Sequence, residues 1–337
     1  MAGHPDAHEE TPMLVTRAML GLIAAALLTA CGSDPKPSAG GATPSAADGG
    51  NGKSAAKAPA GDATAAEVAR EARGKVRCPA KVQAARPAGT PVDDVVGVRP
   101  GMTWDEAVNV VLCSHDLLVV TPETRRGYTL QTYGQALRQG FNARFAEPRV
   151  QKSSKEILAE MQDAAMARGS NRAVRDVQPG QAKWYVGTMG LPGEERVISA
   201  AREEWFEAER FPTMASVIEA LQDKYGQPAV VEDVGGSGYY LVWAYDPSGR
   251  PSAQCRTQAD PDSGVNLSPD CGTSVSARVQ PSGANPELAE YLQVSTVHQA
   301  GGYDLLERTE RALQAADAQR RAREVEEAEG KAAKPTL

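Results

Sequence analysis

The sequence predicts an α+β protein made of two related strand/helix units and a C-terminal helix. Three observations carry that expectation. A helix-start signature at Thr103 returns about 110 residues later at Thr213. Segments such as Ser274 to Val279 alternate apolar and polar residues with the two-residue period of a half-buried strand. From Tyr303 the chain turns helical, with Leu306 and Leu313 a heptad apart, and past Asp317 it becomes nearly all charge and alanine.

Order begins near Cys78. Val95 to Val98 reads as a short strand, Pro100-Gly101 as a turn, and Thr103 with Glu106 as a capping box, in which hydroxyl and carboxylate each take an orphan amide. Gly101 sits where that turn calls for a positive φ. Ala107, Val108, Val111 and Leu112 form the buried stripe of this helix. Ser153 to Arg168 reads as a second helix with Ile157, Leu158, Met161 and Ala165 inward. Lys183 to Met189 and Arg196 to Phe206 read as a hairpin joined by Gly190-Leu191-Pro192-Gly193. Thr213 starts the repeat helix, where Met214, Val217, Ile218, Leu221 and Tyr225 share a face and Gly226 with Pro228 supplies the stop. Gly235 to Gly238 is a hairpin turn; it lacks the lysine and following helix of a phosphate loop. Strands follow at Tyr239 to Tyr245, Ser274 to Val279 and Leu292 to His298, and Trp184, Trp205 and Trp243 fall on strands as core residues. The C-terminal helix is expected to leave the core as a solvated end, supported by pairs such as Asp317 with Arg321.

The apolar run from Ala18 to Leu28 fits the core of a signal peptide and falls short of the roughly 20 residues that cross a bilayer. Met1 to Pro12 carries Asp6, Glu9 and Glu10 and no Lys or Arg, whereas starting at Met13 leaves Arg17 as the expected positive charge. Leu28-Thr29-Ala30-Cys31 resembles the lipobox of a bacterial lipoprotein. The resemblance implies diacylation of Cys31, cleavage after Ala30 and N-acylation of the new terminus. Gly32 follows, and Asp34 lies beyond the position read as an inner-membrane retention signal, which implies the outer membrane. Residues 32 to 63 hold no aromatic and no large aliphatic side chain and cannot bury a core. Taken as flexible to residue 75, the segment spans about 35 Å on average and about 145 Å at full extension. The expected organisation is a signal peptide at 1–30, a linker at 31–75, a first unit at 76–180, a second at 181–302, and a charged helix and tail at 303–337.

A net charge of −7 argues against nucleic acid as a partner. With Cys31 lipidated, Cys78, Cys113, Cys255 and Cys271 remain, an even number where disulfides persist. Three pairings are possible. Sequence proximity favours Cys78 with Cys113 and Cys255 with Cys271, the second closing a loop worth about 3 kcal/mol. A zinc site is disfavoured, since CxxC spacing is absent and only His115 and His298 remain beyond the signal. No metal and no cofactor are expected.

Gly97, Gly101, Met102, Thr103 and Ala107 resemble the G-x-x-x-G-M-T-x-x-E/D-A/V motif of the SmpA/OmlA family, small outer-membrane lipoproteins that include the BAM-complex small lipoprotein. The match covers about 15 residues. The family's L-G-x-P helix exit is replaced by Leu112-Cys113-Ser114-His115 in the first unit, while Lys224 to Pro228 looks like it in the second. The resemblance implies a helix pair packed on an antiparallel sheet and used for contacts with envelope assemblies.

Other candidates are weighed against plainer roles. Ser114-His115-Asp116 holds the residue types of a hydrolase triad, but adjacent side chains diverge and a relay needs converging segments. Asp260, Asp262, Ser263, Asn266 and Asp270 are oxygen ligands of the kind calcium takes, without the EF-hand spacing, and an acidic loop pinched by Cys255 and Cys271 accounts for them. Arg125, Arg126, Arg138, Arg144, Arg149, Lys152 and Lys155, interleaved with Tyr128, Tyr133, Phe141 and Phe145, concentrate positive charge that either meets an anionic surface or is simply solvated. The resulting expectation is a lipid-anchored periplasmic binding or scaffold module without catalysis, held to the membrane through Cys31 and contacting an envelope protein. The alternatives are an inhibitor or ligand-sequestering lipoprotein, since tandem α/β units also build concave inhibitory surfaces, and an envelope hydrolase.

Overall fold

The computed structural model describes residues 62–331 apart from 75, 83–85, 87, 124–129, 170–176 and 260–264. The signal peptide, Cys31 and most of the linker lie outside the described residues.

The last part of the expected linker is helical. Thr64 and Glu67 close a reciprocal capping box that opens α1, Ala65–Arg73. The segment that follows, Ala-Glu-Val-Ala-Arg-Glu-Ala-Arg, is rich in helix formers, and Ala69 is buried. Arg73 reaches across to the carbonyls of Leu112 (2.7 Å) and His115 (2.9 Å). It therefore places a cation at the end of α2, Trp104–Ser114, where the helix leaves carbonyls unpaired.

The first unit continues from α2 through β1 (Leu118–Glu123), β2 (Gly140–Phe145), β3 (Ala182–Met189) and β4 (Arg196–Trp205), with α3 (Ser154–Gly169) inserted between β2 and β3. The second runs from α4 (Met214–Tyr225) through β5 (Val230–Asp233), β6 (Tyr239–Ala244), β7 (Thr273–Pro281) and β8 (Ala289–His298). Each unit is one helix followed by a four-stranded antiparallel meander. The meanders join into a single eight-stranded sheet ordered β1-β2-β3-β4-β8-β7-β6-β5. Because β3 and β4 complete the first meander, the units divide between Trp205 and Pro212 rather than at residue 181.

The two units repeat in detail. The residues before each helix hydrogen-bond to the last strand of the same unit, Val197 N–H to Met102 O and Ala289 N–H to Pro212 O, both at 2.8 Å. A bulge interrupts β3–β4 at Gly187/Thr188 and β7–β8 at Gln280/Pro281. Counted equally from these bulges, Arg202 corresponds to Val294, and these two residues face each other across the β4–β8 seam. A pseudo-twofold axis therefore passes through that pair.

The capping box of Thr103 with Glu106 is present, and Gly101 has φ +89°, as the turn demands. Thr213 caps α4 through Ser216 N–H, but Ser216 replaces the reciprocating Glu. Both helices lie on one face of the sheet. Trp104, Ala107, Val111 and Leu112 from α2 and Met214, Val217, Leu221 and Tyr225 from α4 share a core with Phe141, Trp184, Val186, Leu241, Trp243, Val275 and Ala277. Trp104 stands edge-on to Phe141 at 5.0 Å, and Tyr225 tilts against Trp243 at 5.2 Å.

Helix α3 corrects an expectation. Ile157, Leu158 and Met161 are 48–64 % exposed instead of inward. They are three apolar residues among charges on a helix with little amphipathic pattern, and α2 and α4 already fill the helical face of the sheet. The terminal helix α5, Gln299–Lys331, is about 50 Å long. It lies against β3, β4, β7 and β8, and burial along it ends at Asp317, beyond which every described residue is exposed. Asp317 pairs with Arg321 at 3.0 Å and also with Arg320. No described helix is long and apolar enough to cross a membrane.

Candidate binding face

Both expected disulfides form: Cys78–Cys113 and Cys255–Cys271, with Cα atoms 5.5 and 5.2 Å apart. The first ties the chain before α2 to the end of that helix. The second staples the β6–β7 connection, which folds over the sheet face opposite α2 and α4. There Ala259, Val265 and Leu267 pack on Tyr185, Ala201 and Val297, and Cys255 packs on Val242 and Ala244.

The other sequence candidates resolve into local structure. Ser114 Oγ donates to Val111 O, the Leu117 N–H donates to His115 Nδ1, and Asp116 lies 3.6 Å from Arg73, so the three side chains serve three separate partners. The described cations of the basic stretch are mostly neutralised by carboxylates: Arg144 by Glu147, Arg149 by Glu71 and Lys152 by Glu160. Arg138 makes two 2.8 Å bonds to Glu195, whose side chain is 2 % exposed, and lies 4.9 Å over the Trp104 ring. Burial raises the Glu195 carboxyl, but Arg138 and the Gly193 N–H outweigh it and leave the group below the usual carboxylate range. Arg125, Arg126, Tyr128 and the acidic stretch Asp260 to Gly264 lie outside the described residues. Among those described, no group of three or more His, Cys, Asp or Glu could hold a metal ion.

What sequence reasoning missed is the sheet face opposite α2 and α4, part of which is covered by the start of α5, where Gly302 lies against Leu267 and Ile198. Strand register places Glu232, Tyr240, Arg278, Gln293, Glu203 and Lys183 directly opposite one another on six adjacent strands, one polar row crossing the sheet. Arg256 from the stapled connection bonds Glu232 at 2.7 Å, and Gln258 bonds Gln293 at 3.2 Å. Glu203 accepts from Tyr185 (2.9 Å) and Tyr291 (3.1 Å). Tyr291 also packs its ring against Trp205 at 4.7 Å and stands opposite Gln280 on β7. Between the row and the stapled connection lies a cleft of about 700 Å³ lined by Glu232, Ser237, Tyr240, Arg256, Arg278 and Gln280 among others. Burial raises the Tyr240 phenol above its ordinary value, against its hydrogen bond with Ser276 and the charges of Arg256 and Arg278, so it stays protonated at neutral pH.

Fold and face together define a class: an α+β protein of two tandem helix–meander units, with α2 and α4 on one sheet face and a partly uncovered polar row, beside α5 and the stapled connection, on the other. No protein family model, curated protein or solved structure matches the chain.

Proposed function

We propose that this protein is a lipid-anchored binding module of the bacterial outer membrane, tethered through Cys31 and facing the periplasm, which presents the uncovered part of the sheet face opposite α2 and α4 to an envelope protein. The observation that carries the reading is the polar and aromatic strip from Tyr240 and Arg278 to Tyr291 and Trp205. Strand register holds it rigid, and it mixes a charged fork, amides and rings as binding surfaces do. The lipobox at Leu28 to Cys31 and the linker behind it support the tether and its reach. Action by binding is favoured over hydrolysis by the separate partners of Ser114, His115 and Asp116. A second reading, an inhibitor or ligand-sequestering lipoprotein, is favoured by the cleft itself, which has the size of a small-molecule site.

The test places a photo-crosslinking residue at Gln280 in the cleft on the face opposite α2 and α4, or at Glu219 on the exposed side of α4, in intact cells. One discrete adduct from position 280, none from position 219, and loss of both adduct and membrane attachment in Cys31→Ala are expected. Equal adducts from both faces, or membrane attachment that survives Cys31→Ala, overturn the reading.

A further inference from the structure

Five of the six residues in the polar row have side-chain partners: Glu232 bonds Arg256, Tyr240 bonds Ser276, Gln293 bonds Gln258, Glu203 takes two tyrosine hydroxyls, and Lys183 lies 4.8 Å over the Tyr185 ring. Arg278 is the exception. It is exposed in the cleft and has no hydrogen bond or ion pair to any described residue, in a protein with more acidic than basic side chains. The carboxylate that lines the cleft, Glu232, is taken by Arg256, so the Arg278 guanidinium stands on mid-sheet β7 with its donors open to an anion from outside the described residues.

We propose that the cleft binds a small, polyhydroxylated monocarboxylate, with Arg278 gripping the carboxylate. The planar fork of arginine matches a carboxylate bidentately. Arg256 and Glu232 neutralise each other at the wall, so the site carries one uncompensated positive charge and fits a single negative one. A phosphate dianion would bring two negative charges to that single positive one and leave one of them uncompensated. Tyr240, Ser237 and Gln280 line the cleft with Arg278, and side chains with hydroxyl and amide groups suit a ligand bearing hydroxyls rather than an apolar acid. The volume, about 700 Å³, lies within the range of small-molecule sites.

This inference rests on the face assigned above to binding, and its test stands apart from the crosslinking. The full mature chain in detergent micelles is titrated with D-glucuronate, D-glucose and inorganic phosphate, by calorimetry and by NMR of the Tyr240, Arg278 and Gln280 resonances. Saturable glucuronate binding at millimolar concentration is expected, with glucose and phosphate weaker by at least about tenfold and with shifts confined to the cleft. Arg278→Gln is expected to weaken glucuronate by about tenfold or more, and Arg278→Lys by less, since lysine keeps the charge and loses the fork. Unchanged thermal unfolding of both variants checks that the exposed position left the fold intact. No saturation, equal binding of glucose, tighter binding of phosphate, or undiminished binding by Arg278→Gln overturns the proposal. An adduct at position 280 without glucuronate binding removes the cleft ligand alone; glucuronate binding without an adduct removes the protein partner alone.

Discussion

At equivalent places in the two meanders the first unit carries Tyr185 and the second Arg278. Tyr185 is 6 % exposed beneath Ala259 and Leu267 and donates to Glu203, whereas Arg278 stands open in a cleft. The outer strands differ in the same way. Pro122 in β1 corresponds to Asp233 in β5, and α1 and α2 lie against β1, whereas Val231 on β5 is 57 % exposed. Proline withholds a ladder donor and suits an edge that must not pair further. The connections at the equivalent point also diverge, since the β2–β3 link carries α3 and the β6–β7 link is stapled over the sheet. One frame used twice thus yields a half that is closed by its own chain and a half that keeps an accessible surface.

The comparison breaks most decisively in the core. Trp243 and Phe145 occupy equivalent positions, but Trp243 is 1 % exposed and donates to Gly226 O at 2.7 Å, while Phe145 is half-buried. Trp243→Ala should cost about 4 kcal/mol in urea unfolding and Phe145→Ala about half that. Equal costs would mean that the halves are packed alike.

The disulfides come next. Replacing Cys78 and Cys113 by alanine opens a link of sequence separation 35, and replacing Cys255 and Cys271 opens one of 16. The chain-entropy model gives about 4 and about 3 kcal/mol, so the first unit should lose more. Reversal of that order would show that the stapled β6–β7 connection, not loop closure, dominates.

Arg138→Ala strands the buried Glu195 carboxylate, and a loss of about 2 kcal/mol is expected because the arginine itself is part-exposed. Glu195 titrates below its unfolded value, so the pair contributes above that value and its contribution disappears as pH falls through the folded one. The difference between wild type and variant should therefore be largest at neutral pH and shrink below about pH 4 in parallel chemical denaturation series.

The smallest effect concerns the caps. Thr103→Ala should cost about 1 kcal/mol and Thr213→Ala somewhat less, because Glu106 completes a box that Ser216 does not. Thr103→Ser should be nearly silent.

Local signals carried much of this architecture into view. The two threonine caps, the glycine stops, the β3–β4 hairpin and the alternation in β7 depend on residues a few positions apart, so both helices and the later strands were legible. Strands β1, β2 and β5 were not: Leu118–Glu123 contains a proline, Gly140–Phe145 lies amid arginines, and Val230–Asp233 has four residues. The polar row was out of reach for a different reason. Glu232 and Lys183 belong to one line only through five successive register choices, none of which is encoded next to the residues concerned. For the same reason the basic stretch read as a patch, although Glu195 and Glu71, which neutralise Arg138 and Arg149, come from distant segments.

Under the tether proposed above, the Cys78–Cys113 bridge has a mechanical consequence. Tension from the N-terminal side meets the Ala63–Arg149 bridge and the α1 contacts first, and what passes them goes at Cys78 through the sulfur bridge to the last turn of α2, so that Val95, Val98, Met102 and the Thr103 cap are left out of the load path. A pull on the tether is thereby delivered to a helix packed across the sheet, so the strain is shared by a whole core instead of peeling the segment that seals it.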